Sequence, residues 1–169
     1  MIPDLRRRAV APAALMAASA LVLAGCAQRE PVDLPEPDVF EHQLLDEINA
    51  LRFAEGESRL DANGCLADIA RERAATLPGA ETVPRDDLSG ECGDFGYAGE
   101  NISRAELGPA AVVEEWASDD LQRPNLVDPG FTDAGVGCVG VAFEDTTRVA
   151  EDGEELAGMA CSVVLMGPA

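Results

Sequence analysis

The sequence predicts an α+β domain in which helices come first and strands last, stapled by two disulfides. Three observations predict it. The first half carries apolar residues at three- and four-residue spacing, the mark of amphipathic helices. The last third holds two runs of small and β-branched residues, which suit strands. Four cysteines, Cys65, Cys92, Cys138 and Cys161, come after a stretch that reads as an export signal, and an even set in an exported chain reads as disulfides.

That export signal is the first element. Arg6, Arg7 and Arg8 form a basic end, and an apolar run from Ala9 to Leu23 comes next, broken by Pro12 and Ser19. At about fifteen residues the run is too short to span a bilayer, which takes roughly twenty. It closes on Leu23-Ala24-Gly25-Cys26, which resembles a bacterial lipobox. Residues 1–25 are then removed, and Cys26 becomes an acylated N-terminus. The expectation is an extracytoplasmic protein held to the membrane by lipid. Residues 26–38, rich in proline and acid, read as an extended tether, and residues 39–169 as the domain.

Within the domain, Phe40, Leu44, Leu45, Ile48 and Leu51 form one apolar stripe on a helix running from Val39 to Gly56. A second helix starts after Asp61 or Asn63, turns Leu66, Ala70, Ala74 and Leu77 inward, and stops at Pro78-Gly79. Pro78 to Gly93 has no period and reads as a loop; Phe95 to Ile102 reads as a short strand. Pro109 suits the first turn of a third helix, where its missing N–H has no partner to lose. That helix carries Ala111, Val112, Val113 and Trp116 and ends near Asp119, and Leu121 to Pro129 continues as a turn or irregular helix. Ala134 to Phe143 and Gly158 to Met166 are closing strands joined by an acidic linker. Spacing alone allows three cysteine pairings. If the closing strands form a hairpin, Cys138 falls opposite Cys161, which leaves Cys65 with Cys92. Chain entropy gives each such loop about 3–4 kcal/mol.

The chain from Cys26 onward has 144 residues, 31 of them acidic against nine arginines and no lysine, so its net charge is near −22. Such a surface repels nucleic acid, which is not expected as a partner; salt adaptation or solubility is its simplest origin. No cysteine stands in a Cys-x-x-Cys pair and His42 is the single histidine, so a zinc site is not expected. His42, among Glu41, Gln43 and Asp46, reads as a surface residue, which leaves a Ser-His-Asp arrangement without its base.

Taken in order, several segments resemble the CAP superfamily, the cysteine-rich secretory and plant pathogenesis-related proteins, in its bacterial SCP-like branch. They are Leu44 through Arg52 (LLDEINALR), Leu66 through Ala70, Tyr97-Ala98-Gly99-Glu100-Asn101-Ile102, Trp116 through Gly137, and the closing CSVVLMG. The likeness covers residues 40 to 167. It implies an α-β-α sandwich, a small antiparallel sheet between helical layers. Many members hold a cleft of two histidines and two acids that binds a divalent metal. Here Glu100 matches the acid of the Gly-Glu-Asn-Ile element, and Asp119 matches an acid that some relatives carry after the tryptophan. Gln122 stands where the bacterial histidine belongs, with Arg123 retained, and Pro84 takes the place of the other histidine.

The resemblance therefore implies a vestigial cleft of Glu100, Asp119 and Gln122. Without imidazole it has no zinc ligand or proton shuttle near neutral pH, and its oxygen donors leave only weak calcium or magnesium binding. Glu100 is expected to fix its loop by accepting backbone N–H bonds, and Trp116 to lie in the core. The functional expectation is a non-enzymatic, lipid-anchored module that binds a surface or envelope ligand and needs no cofactor. The alternatives are a peptidase-like hydrolase using Glu100 and Asp119, and lipid or sterol binding.

Overall fold

In the computed structural model, residues 33–80, 92–93, 95–142 and 148–169 are described. The export signal, Cys26, residues 26–32 of the tether, Pro84 with its loop and residues 143–147 lie outside them.

Helix α1 (Pro37–Glu55) begins two residues ahead of Val39, because Pro37 occupies its first turn. Gly56 ends it in the left-handed conformation at φ 85°. The Gly56 and Glu57 N–H groups then return to Phe53 and Arg52 carbonyls at 3.1 and 2.8 Å, satisfying acceptors the helix would otherwise orphan. Two polar residues on the inner face of α1 anchor later parts of the chain. The Asn49 amide pairs with both backbone groups of Leu60, at 2.7 and 3.2 Å. Arg52 is fully enclosed and donates to four carbonyls, those of Ser58, Leu126, Asp128 and Phe131, at 2.7–3.2 Å. Its burial pushes the guanidinium pKa down, opposed by Glu57 and Asp128 nearby.

A two-residue strand, β1 (Asp61–Ala62), precedes α2 (Gly64–Thr76). Asn63 caps α2 by accepting from the N–H groups of Cys65 and Leu66 at 3.1 and 3.3 Å. Leu66, Ala70, Ala74 and Leu77 are all buried. Strand β2 (Phe95–Ala105) runs three residues beyond Ile102, and α3 (Pro109–Ser118) and α4 (Arg123–Val127) come after it. Strands β3 (Asp133–Ala142) and β4 (Leu156–Pro168) complete the chain.

The sheet has the order β1-β3-β4-β2, with β4 antiparallel to both neighbours and β1 parallel to β3. Cys138 lies directly opposite Cys161 and is bonded to it, and Cys65 is bonded to Cys92. Alternation along β4 builds the two interiors. Met159, Cys161, Val163 and Leu165 face α1 and α3, meeting Phe40, Leu44, Ile48, Val112 and Trp116. Val164 and Met166 face α2, meeting Leu66 and Ala70. Helix α2 comes unusually close because β3 offers it Gly135 and Gly137. A Cβ at either position would lie 2.0 Å from α2 backbone. The result is the expected sandwich of helices on both faces of a small sheet. No described helix is long and apolar enough to cross a membrane.

Candidate functional site

Glu100 sits in β2 opposite Val164, so its side chain shares the face covered by α2. There α2 presents Arg73, whose Nε and Nη2 donate to the two Glu100 carboxylate oxygens at 2.5 and 2.6 Å. Ser162 of β4 adds its hydroxyl at 2.8 Å. The Arg73 and Glu100 side chains are only 9 % and 16 % exposed, which places the pair in the regime of charge-assisted, desolvated contacts. The expected partners of Glu100, backbone N–H groups of its own loop, are replaced by these side chains. A carboxylate on the middle of a paired strand faces the helix layer, not its own backbone.

The other two cleft candidates have different duties. Asp119 closes α3 and its Oδ1 accepts from the N–H groups of Leu121 and Gln122 at 2.8 and 2.9 Å. This exposed local turn leads the chain into α4. The Gln122 carbonyl accepts from Asn101 Nδ2 at 3.1 Å. Asn125 in turn donates to the Asn101 amide at 2.8 Å and to the Glu100 carbonyl at 3.2 Å. Trp116, 1 % exposed, donates its indole N–H to the Ile102 carbonyl at 3.0 Å. Together these groups cover the outer edge of β2, which would otherwise expose unpaired backbone. The Gln122 Oε1 atom is buried with no hydrogen-bond partner among the described residues.

Chemically, this arrangement holds a sheet edge and neutralises a charge. The Arg73 guanidinium engages both carboxylate oxygens of Glu100, so the carboxylate is turned to the helix and occupied there. Among the described residues no group of three His, Cys, Asp or Glu side chains is placed to hold a metal ion. By the resemblance, Gln122 would bring a single amide oxygen in place of an imidazole, and the described residues around Glu100 offer no imidazole or thiolate of the kind zinc takes. His42, exposed on α1, belongs to a different groove along β3, two strands away from Glu100.

Sequence reasoning missed Arg73 and Ser162. A signal was there: Arg73 falls on the inner stripe of α2 between Ala70 and Leu77, and a buried arginine requires a buried acid. Ser162 is likewise a lone hydroxyl within an apolar strand.

The family model of the cysteine-rich secretory proteins, CAP, matches residues 45–146. An uncharacterized protein of Bacillus subtilis, YkwD, is 27% identical over 109 residues, which cover 59% of this chain and 42% of that protein. A cysteine-rich secretory protein of Staphylococcus aureus superposes with a TM-score of 0.59 at 17% identity, covering 81% of this chain and 41% of that one. An extracellular protein containing an SCP domain from Bacillus anthracis gives 0.57 at 20%, covering 79% and 41%. This chain thus spans about two fifths of the length of each relative. The two superpositions, at such low identity, carry the fold alone. With the family model spanning more than half of its residues, the chain belongs to the CAP family of cysteine-rich secretory proteins.

Proposed function

We propose that this protein is a lipid-anchored, extracytoplasmic CAP domain whose ancestral cleft has been converted from chemistry to structure, leaving a non-enzymatic binding or envelope-interaction module without a cofactor. One observation carries the reading. The single acid retained from the Gly-Glu-Asn-Ile element is held by both nitrogens of Arg73 and by Ser162, in a site that lacks imidazole among its described residues. A carboxylate with both oxygens so engaged serves poorly as base, nucleophile or metal ligand. The lipobox pattern at Cys26 and the acid- and proline-rich residues 26–38 support display of the domain on a tether from a membrane. The extracellular relative from Bacillus anthracis fits that placement.

Calorimetric titration with zinc at neutral pH tests the cleft. The reading expects no binding tighter than micromolar, and a tighter site that disappears in Glu100→Gln would contradict it. Turnover of peptide or cell-wall substrates abolished by Glu100→Gln would favour a hydrolase instead. The anchor has its own test. Metabolic labelling with a fatty acid should mark the wild-type chain and not Cys26→Ser, and an unlabelled, freely released wild-type chain would remove the anchor from the account.

A further inference from the structure

Helix α2 is shorter than the sheet it covers. Its 13 residues rise about 20 Å, whereas the 13 residues of β4 advance about 3.3 Å each. Along β4 the side chains that face α2 dwindle toward the uncovered end, from Met166 and Val164 through Ser162 and Ala160 to Gly158. Leu77 is the last inward residue of the helix and meets Ala160 and Val141. Beyond it opens a cavity of about 310 Å³, whose lining includes Gly79, Ala80, Arg104, Val141 and Gly158. An apolar cavity of about 150 Å³ holds a benzene ring, so this space suits a small organic molecule.

Arg104 supplies the one charge among the described lining residues. Its Nη1 donates to the carbonyls of Leu77 at 3.0 Å and Ala80 at 2.7 Å, where α2 ends. Those two bonds use both Nη1 hydrogens and fix the plane of the guanidinium. They leave the edge formed by Nε and Nη2 without a partner among the described residues. That is the edge by which Arg73 takes Glu100 and Arg71 takes Glu41 in this same chain. Arg59, Arg123 and Arg148 hold carboxylates too, and Arg52 is enclosed by carbonyls. In a chain with 32 acidic residues, Arg104 alone among the described arginines presents an oriented edge with no acid on it.

We propose that this cavity binds a small organic acid. Its carboxylate lies side-on to Nε and Nη2 of Arg104, and its apolar body rests over Gly158 against Val141 and Ala80. A planar carboxylate matches two parallel N–H groups. The strongly acidic exterior repels a multivalent anion such as phosphate more than a monovalent carboxylate. The site lies four residues, about 13 Å, along β2 from Glu100 and does not depend on the reading given to that residue.

Titration of the isotope-labelled full-length chain with benzoate at neutral pH, followed by NMR, tests the proposal. The Arg104 Nε–H and the Gly158 amide should shift together and saturate, benzamide should leave them in place, and acetate should bind more weakly. Arg104→Gln should weaken benzoate binding about tenfold or more. Because that change also removes a bond donor from the end of α2, Arg104→Lys gives a second variant, which keeps a cation there but loses the paired N–H edge and should weaken binding as well. Absence of a saturable shift overturns the proposal, as does benzoate binding that neither variant weakens. An equal response to benzamide removes the carboxylate from it, an equal response to acetate removes the apolar body, and a stronger response to phosphate replaces the organic acid with an inorganic anion.

Discussion

At the scale of single residues, the chain places two arginines, Arg52 and Arg73, where backbone or acid must be satisfied indoors. Arg52 is the clearest case, since its guanidinium answers carbonyls from the end of α1, from α4 and from the approach to β3. Arg52→Met keeps the apolar stem but leaves buried acceptors without donors, and chemical denaturation should show a loss of about 3–5 kcal/mol. A second expectation concerns the cleft. Gln122→His restores one imidazole, yet zinc affinity should stay weaker than micromolar by calorimetry, because Arg73 still neutralises Glu100. Appearance of a tight site in that variant would mean the guanidinium yields easily. Much of this scale was hidden from sequence reading. The Leu44–Arg52 segment was recognisable, but nothing in its spacing said that Asn49 and Arg52 act on loops about ten to eighty residues away.

At the scale of elements, helix and strand identity was legible because each has its own period and its own stop. Proline at the start of α3, Gly56 after α1 and the small-residue runs of β3 and β4 are local signals, whereas Pro37 at the start of α1 reads as part of the tether. Strand β1 was not legible, because two residues have no period. It forms through the ladder from Thr132 and Ala134, not through its own propensity. Pairing of β2 with β4 was equally silent in the sequence. The spacing between α2 and β3 yields a sharp prediction. Gly137→Ala puts a methyl 2.0 Å from the Arg71 nitrogen and should cost at least about 2–3 kcal/mol in a denaturation curve. In the connection before β4, Glu154 receives two bonds from Arg148 at 2.8 Å and one from Glu151 N–H, which hold its carboxyl down to about 2. A carboxyl lowered on folding adds stability above its ordinary range and loses it as pH falls through the folded value. Its NMR titration should therefore run with a midpoint near 2, and a midpoint in the ordinary range would show the pair to be open in solution.

At the scale of the whole molecule, net charge and topology act against each other. Repulsion among 32 acidic and 12 basic residues loosens the compact state, while two disulfides and two polar clamps tighten it. Salt screens that repulsion, so thermal unfolding should move upward between low salt and about 1 M sodium chloride. Each kcal/mol gained corresponds to roughly 3–6 °C. An unchanged midpoint would mean that the surface charges are already balanced locally. The family likeness was readable because its segments occur in order, but the fate of the cleft was not. The replacement of histidine is an expectation from the resemblance, whereas the contacts of Glu100 with Arg73 and Ser162 bring together three elements that no local pattern links. The most direct measurement is a double-mutant cycle on Arg73→Met and Glu100→Gln, read as unfolding free energy. A structural pair predicts that each single change destabilises and that the two are coupled by about 2 kcal/mol. Coupling near zero, or a Glu100→Gln variant more stable than wild type as expected of a retained active-site acid, would contradict the account.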